Sequence, residues 1–190
     1  MPSKKELVAL YEIKITLLDL EPAVWRRVLV PRDITLGNLH AVIQVAMGWE
    51  DGHLHEFVIG RKRYERTMPD PFGMGDPPVN EDIVRLNGVA KPKAKFVYHY
   101  DFGDDWVHEI RIEGEVESES GKRRARCVAG ENACPPEDCG GVYGYANLLA
   151  ILDDPQHEEY DEMREWLGDE FDPLQFDLQR VDRRLSSLKV

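Results

Sequence analysis

Three short stretches hold the side chains most capable of chemistry. Tyr98-His99-Tyr100-Asp101-Phe102-Gly103-Asp104-Asp105-Trp106-Val107-His108-Glu109 joins two strand-like runs through an acidic, glycine-containing turn flanked by aromatics and imidazoles. His53 and His55 are one residue apart, so on a strand both rings would leave the same face. Glu137 and Asp138 lie in the loop Cys134-Pro135-Pro136-Glu137-Asp138-Cys139-Gly140-Gly141. Two imidazoles on one face suit a pair of metal ligands, which Asp101, Asp104, Asp105 or His108 would complete. Imidazole with carboxylate favours zinc, iron or nickel over calcium or magnesium. The metal-ligand expectation is therefore His53, His55 and His108, with a divalent transition metal as the cofactor. The plainer alternative is that these histidines are hydrogen-bonded fixtures on the rim of the core.

His108 should share its strand face with Trp106 and Ile110, where a polar ring needs a partner. A carboxylate from Asp101 or Glu137 would orient that ring and could equally prime a general base. Asp104-Asp105 is first of all turn chemistry, because aspartate bonds its own backbone there. Asp101-Phe102-Gly103 matches the magnesium-binding element of protein kinases, but no other kinase element accompanies it. Cys127, Cys134 and Cys139 have six and four residues between them, a spacing that matches no common zinc knuckle. A structural site of three cysteines and one histidine, and a cysteine nucleophile paired with His108, are the remaining thiol readings. The prolines and acids around Cys134 and Cys139 work against a lowered thiol pKa. Serine occurs only at positions 3, 118, 120, 186 and 187, in tails and polar turns. With no Gly-x-Ser-x-Gly and no phosphate-cradling glycine loop, serine hydrolysis, serine recombination and nucleotide binding are all poorly served.

The elements that must position these groups follow from periodicity. Tyr11, Ile13, Ile15 and Leu17 alternate with Glu12, Lys14 and Thr16, the pattern of a half-buried strand. Val24 to Val30 reads as its antiparallel partner, with Arg26 on the apolar face. Thr35 is a suitable N-cap for a helix whose stripe is Leu36, Leu39, His40, Ile43, Ala46 and Met47, and Gly48 is a natural stop. His53 to Ile59 is expected as a strand with His53, His55, Phe57 and Ile59 pointing one way. Thr67–Asn80, with four prolines, is expected to be a mobile loop and a cover for the site. Lys95–Asp101 and Trp106–Glu117 form the central hairpin. Three helices should close the chain: Tyr145–Leu152, then one from Asp154-Pro155 to Gly168 burying Tyr160, Met163 and Leu167. The last starts at Asp172-Pro173 and carries Leu174, Leu178, Val181, Leu185 and Leu188. The fold class is α+β, an antiparallel sheet with an early helix and a C-terminal set of three helices packed against it, in a single domain spanning 1–190.

Composition narrows the class further. The net charge is −12, and between Ile151 and Leu178 eleven acids face Arg164 alone. Such a balance disfavours nucleic acid, although basic runs at Arg26-Arg27, Arg61-Lys62-Arg63 and Lys122-Arg123-Arg124 leave a DNA-associated role open. Three cysteines, no signal-like leader and no apolar run near ~18 residues point to a reduced, cytoplasmic protein without a membrane span.

The chain resembles the plasmid pRiA4b ORF-3-like family from about Tyr11 to Leu188. The resemblance rests on Val24-Trp25-Arg26-Arg27, Gly48-Trp49 leading to His53-Leu54-His55-Glu56-Phe57, and Tyr100-Asp101-Phe102-Gly103-Asp104-Asp105-Trp106-Val107-His108. It continues through the Cys134–Gly141 loop and Gly144-Tyr145 to Phe171-Asp172-Pro173 and Phe176-Asp177. What it implies is an α+β domain without an established activity. Relatives occur on plasmids and mobile elements, have been labelled resolvases, and are in some cases joined to DNA-binding or other modules. It assigns no catalytic residues.

The leading expectation is a non-enzymatic or accessory binding domain. Its pocket would be lined by His53, His55, Asp101, Asp104, Asp105, Trp106, His108, Glu137 and Asp138, for a small polar or cationic ligand or a protein partner. The rival readings are a metal-dependent hydrolase, with Asp104 or Glu137 as general base, and a DNA-associated accessory protein of plasmids and mobile elements.

Overall fold

The computed structural model describes residues 7–66, 78–118, 123–168 and 171–190. Among these residues eight strands form one sheet: β1 Val8–Leu17, β2 Val24–Pro31, β3 His55–Ile59, β4 Lys62–Glu65, β5 Val79–Asn80, β6 Lys95–Tyr100, β7 Trp106–Ser118 and β8 Arg126–Glu131. Their order is β5-β4-β3-β6-β7-β1-β2-β8. Every neighbouring pair is antiparallel except β4 with β5, which is parallel, so the sheet is mixed and not purely antiparallel as expected. That exception falls at the end of the proline-rich stretch, where Val79 pairs with Tyr64. Residues 67–77 of that stretch, read as a mobile cover, lie outside the described residues.

The alternation in β1 does what it implies: Ile13 and Ile15 are wholly buried and face Val28 and Arg26 of β2 in register. Burying an aliphatic side chain of this size stabilises by about 1.5–3 kcal/mol. Arg26 is buried on the same face. Its Nε donates to the Ala46 carbonyl (3.0 Å) and its Nη1 to those of Trp25 (2.8 Å) and Glu131 (2.7 Å). The guanidinium also lies 3.9 Å from the centre of the Phe176 ring. It therefore ties β2 to β8 and to the end of the first helix, and burial lowers its pKa.

Among the described residues five helices accompany the sheet: α1 Leu36–Met47, α2 Leu86–Val89, α3 Gly141–Asp153, α4 Tyr160–Leu167 and α5 Leu178–Ser187, with a 3-10 turn at Glu81–Ile83. Thr35 Oγ1 caps α1 by accepting from Asn38 N (3.2 Å), and Gly48 ends it at φ 102°. α3 begins four residues before the expected Tyr145. α4 begins only at Tyr160, because the chain after Asp154-Pro155 first makes turns, and none of its residues is fully buried. Asp172 does not start α5. Its carboxylate is used locally, accepting from Leu174 N and Gln175 Nε2 (2.9 Å each), and Asp177 caps the helix instead (2.8 Å to Arg180 N). Leu174, expected on the apolar stripe, is exposed, whereas Leu185 is wholly buried. Asp182 of α5 accepts from Arg126 Nε (2.7 Å) and Nη2 (2.8 Å) and from Cys127 N (3.0 Å), which fastens α5 to β8. Among the described residues no helix is long and apolar enough to cross a membrane.

Candidate functional site

The turn between β6 and β7 is folded by its own aspartates. Asp101 accepts from Gly103 N through Oδ1 (2.9 Å) and from Asp105 N through its carbonyl (2.7 Å). Asp101 and Asp105 take left-handed conformations (φ 56° and 60°), which a short polar side chain tolerates better than most. Asp101 N donates to the Leu54 carbonyl (2.9 Å), drawing the segment before β3 against the turn. The 134–141 loop closes over the same end of the sheet. Trp49 Nε1 donates to the Pro135 carbonyl (3.0 Å), the Tyr100 hydroxyl donates to Glu137 Oε1, and Glu50 N donates to Glu137 Oε2 (3.2 Å). Gly140 N donates to Asp104 Oδ2 (3.2 Å). Gly141, at φ 67°, admits no side chain, because a Cβ there would stand 2.3 Å from the Asp104 carbonyl oxygen.

This closure makes an acidic mouth around His53. Its Nδ1 lies 3.8 Å from Asp101 Oδ1 and its Nε2 lies 3.2 Å from Asp138 Oδ1. One ligand-type atom from each of the three residues falls within 4.8 Å of the others. Asp101 is largely covered, His53 half-covered and Asp138 exposed, so the group faces solvent. A cavity of about 340 Å³ opens beside it, walled by Asp138, Cys139, Leu148, Ile151, Met163 and Trp166. Asp105 lies elsewhere, 2.6 Å from His99 Nε2. Trp106 is buried beneath, its ring tilted against Trp49.

His55 and His108 do not join His53. β3 starts at His55 and His53 precedes it in a bend, so the alternation that would align the two rings does not reach His53. His55 is buried, its Nε2 3.0 Å from both carboxylate oxygens of the wholly buried Glu81. Its ring stacks on His40 at 3.5 Å between centroids and 2° between planes. His40 in turn is held at Nδ1 by the Tyr98 hydroxyl (2.8 Å) and at Nε2 by Asp51 Oδ1 (2.7 Å). Gln44 Nε2 donates to the Tyr98 hydroxyl (3.0 Å) and Gln44 Oε1 accepts from Asp51 N (3.0 Å). Burial first, and the neighbouring His55 second, take the His40 pKa down to about 4. His108 is fully enclosed. Nδ1 donates to the Tyr98 carbonyl (3.3 Å), and Nε2 has no hydrogen-bond partner among the described residues. Burial takes its pKa to about 3, and neither Asp101 nor Glu137 is hydrogen-bonded to it. The three expected metal ligands therefore occupy three different surroundings.

The inner group of His40, Gln44, Asp51, Glu81 and Tyr98 was not legible as a unit. One signal was present: His40 falls on the apolar stripe of α1, and a polar ring on a buried face must find partners. Burial raises all three thiols, Cys127 to about 11, Cys139 to about 12 and Cys134 likewise upward.

Fold and site together define an α+β domain with a mostly antiparallel mixed sheet and a histidine-and-carboxylate mouth at one end of its central hairpin. The family model described as plasmid pRiA4b ORF-3-like protein matches residues 9–180, and the chain belongs to that family. It is 37% identical to the uncharacterized protein y4hQ of Sinorhizobium fredii (strain NBRC 101917 / NGR234), over 96% of this chain and 93% of that protein. The crystal structure of a protein of unknown function, MM3350 from Methanosarcina mazei Go1, superposes with a TM-score of 0.83 at 37% identity. That match covers 93% of this chain and 98% of the other.

Proposed function

We propose that this protein is a non-enzymatic binding domain that takes a small polar cation at the mouth formed by His53, Asp101 and Asp138, with Glu137 behind them. The observation that carries this reading is the meeting of three segments far apart in sequence, each delivering one of these groups to a solvent-facing point. Two carboxylates flanking one imidazole attract positive charge, and the raised thiols leave no activated cysteine for covalent chemistry. A hydrolase built on His53, His55 and His108 loses support from their separation. The DNA-associated reading loses its basic pair, since Arg26 is buried and Arg27 is bonded to Glu113 (2.6 Å).

The test is calorimetric titration with guanidinium, methylammonium, Mg²⁺ and Ca²⁺, on the wild type and on Asp138→Asn, an exposed change that leaves the core intact. At least one cation should bind, and D138N should weaken it tenfold or more. If no cation binds, or if D138N binds as well as the wild type, the reading is wrong.

A further inference from the structure

The inner group raises a separate question, because it places two carboxylates and two imidazoles together at the edge of the core. Buried carboxylates are ordinarily paired or bound to a metal. We propose that His40, His55 and Asp51 form a second site, for a divalent first-row transition metal, with Glu81 and Tyr98 fixing the two imidazoles from behind. This site is independent of the mouth and shares no residue with it.

Three observations carry the proposal. One ligand-type atom from each of His40, Asp51 and His55 lies within 4.8 Å of the others. The far nitrogen of each ring is already anchored: Glu81 holds His55 Nε2 (3.0 Å to each oxygen) and the Tyr98 hydroxyl lies 2.8 Å from His40 Nδ1. That is the arrangement metal-bound histidines adopt, one ring nitrogen on the metal and the other hydrogen-bonded to a carboxylate or another oxygen. It leaves His55 Nδ1 and His40 Nε2 as the ligating atoms. Access comes from Asp51, whose side chain is 41% exposed while His40 beside it is 1% exposed.

Donor type then chooses the ion. Two imidazole nitrogens with the Asp51 carboxylate make a mixed nitrogen and oxygen donor set, and Arg66 Nη1 lies 3.7 Å from the other carboxylate oxygen of Asp51. Two nitrogen donors favour zinc, cobalt, nickel or iron(II) over magnesium or calcium. Metal–donor bonds are about 2 Å long. The ligand atoms must therefore draw together and the rings must tilt out of their 3.5 Å parallel stack, because each imidazole lone pair lies in its ring plane. In the metal-free state the same contacts are satisfied internally: His40 Nε2–H donates to Asp51 and Gln44 donates to Tyr98. Metal binding shifts His40 to the tautomer whose Nδ1–H donates to the Tyr98 hydroxyl.

The experiment titrates Co²⁺ into tag-free protein previously stripped with a chelator. It follows the visible ligand-field bands and counts bound metal after equilibrium dialysis. One equivalent should bind, remain in excess Mg²⁺, and survive in the double variant H53N/D138N. Asp51→Asn and Glu81→Gln should each weaken it tenfold or more. D51N, at the exposed edge, keeps the test decisive if E81Q does not fold, as a thermal melt would show. No bound cobalt overturns the proposal. So does cobalt that is lost in H53N/D138N but unaffected by D51N, an outcome that would place the ion at the mouth and leave the reading of the mouth standing. Failure of the mouth variants to affect any cation, with cobalt still dependent on Asp51, supports the inner site alone.

Discussion

Replacing His108 with leucine should make the protein resistant to acid at little cost near neutrality. In the folded chain His108 is wholly buried and its pKa falls to about 3, from 6.5 when free, so the unfolded chain takes up the proton first. A group depressed in this direction contributes stability that is complete above about pH 6.5 and is lost as pH falls toward the folded value. Each pH unit in that window is worth about 1.4 kcal/mol. Between pH 7.5 and 4.5 the histidine therefore costs the native state about 2–3 kcal/mol. Leucine has nearly the same volume and gives up one long hydrogen bond, Nδ1 to the Tyr98 carbonyl at 3.3 Å, while burying no unpaired nitrogen. At pH 7.5 the change should fall within about 1.5 kcal/mol of neutral. Urea unfolding of both proteins at the two pH values, followed by circular dichroism, measures the difference directly. Carboxylate titrations and that of His40 are common to both proteins and cancel. Equal losses of stability in H108L and the wild type, to within about 0.5 kcal/mol, would refute the claim that burial holds this ring neutral.

Other outcomes are as definite. Gly141→Ala should destabilise by about 2–4 kcal/mol in denaturant melts, since its φ of 67° and a Cβ 2.3 Å from the Asp104 carbonyl oxygen both oppose a side chain. Gly88→Ala, with nothing within 4 Å, should be neutral or slightly stabilising in the same melts. Arg26→Met should cost about 3–5 kcal/mol by leaving three carbonyls without their donor, and should leave any DNA retention at low salt unchanged. Ellman's reagent should label the native cysteines slowly at pH 8 and all three rapidly in urea, because Cys127 and Cys139 titrate only near 11 and 12.

Local signals were the legible part of this sequence. The limits of α1 follow from Thr35 and Gly48, and the alternation in β1 and β2 placed even Arg26 on the buried face, because caps and period-2 patterns are complete within a few residues. β5 left no such trace, being two residues whose pairing with β4 is decided by tertiary contact. Asp172 and Asp177 each accept from a backbone N–H two or three residues on, so both look like caps in the sequence, and α5 follows the second. Within the site, the turn aspartate Asp101, the loop aspartate Asp138 and His53 are brought together, yet His55 turns inward to Glu81. The period-2 argument holds only inside a strand, and β3 begins two residues after His53. Glu81 and Asp51 carried no signal of their own. Their roles exist only once α1, β3 and the 3-10 turn are packed together.

The most direct test of the mouth is histidine-selective NMR during titration with the cation that gives the largest calorimetric heat. We expect the His53 ring resonances to move in step with binding while those of the enclosed His108 stay fixed. Resonances of His53 that do not move at saturating cation would contradict a binding site between Asp101 and Asp138.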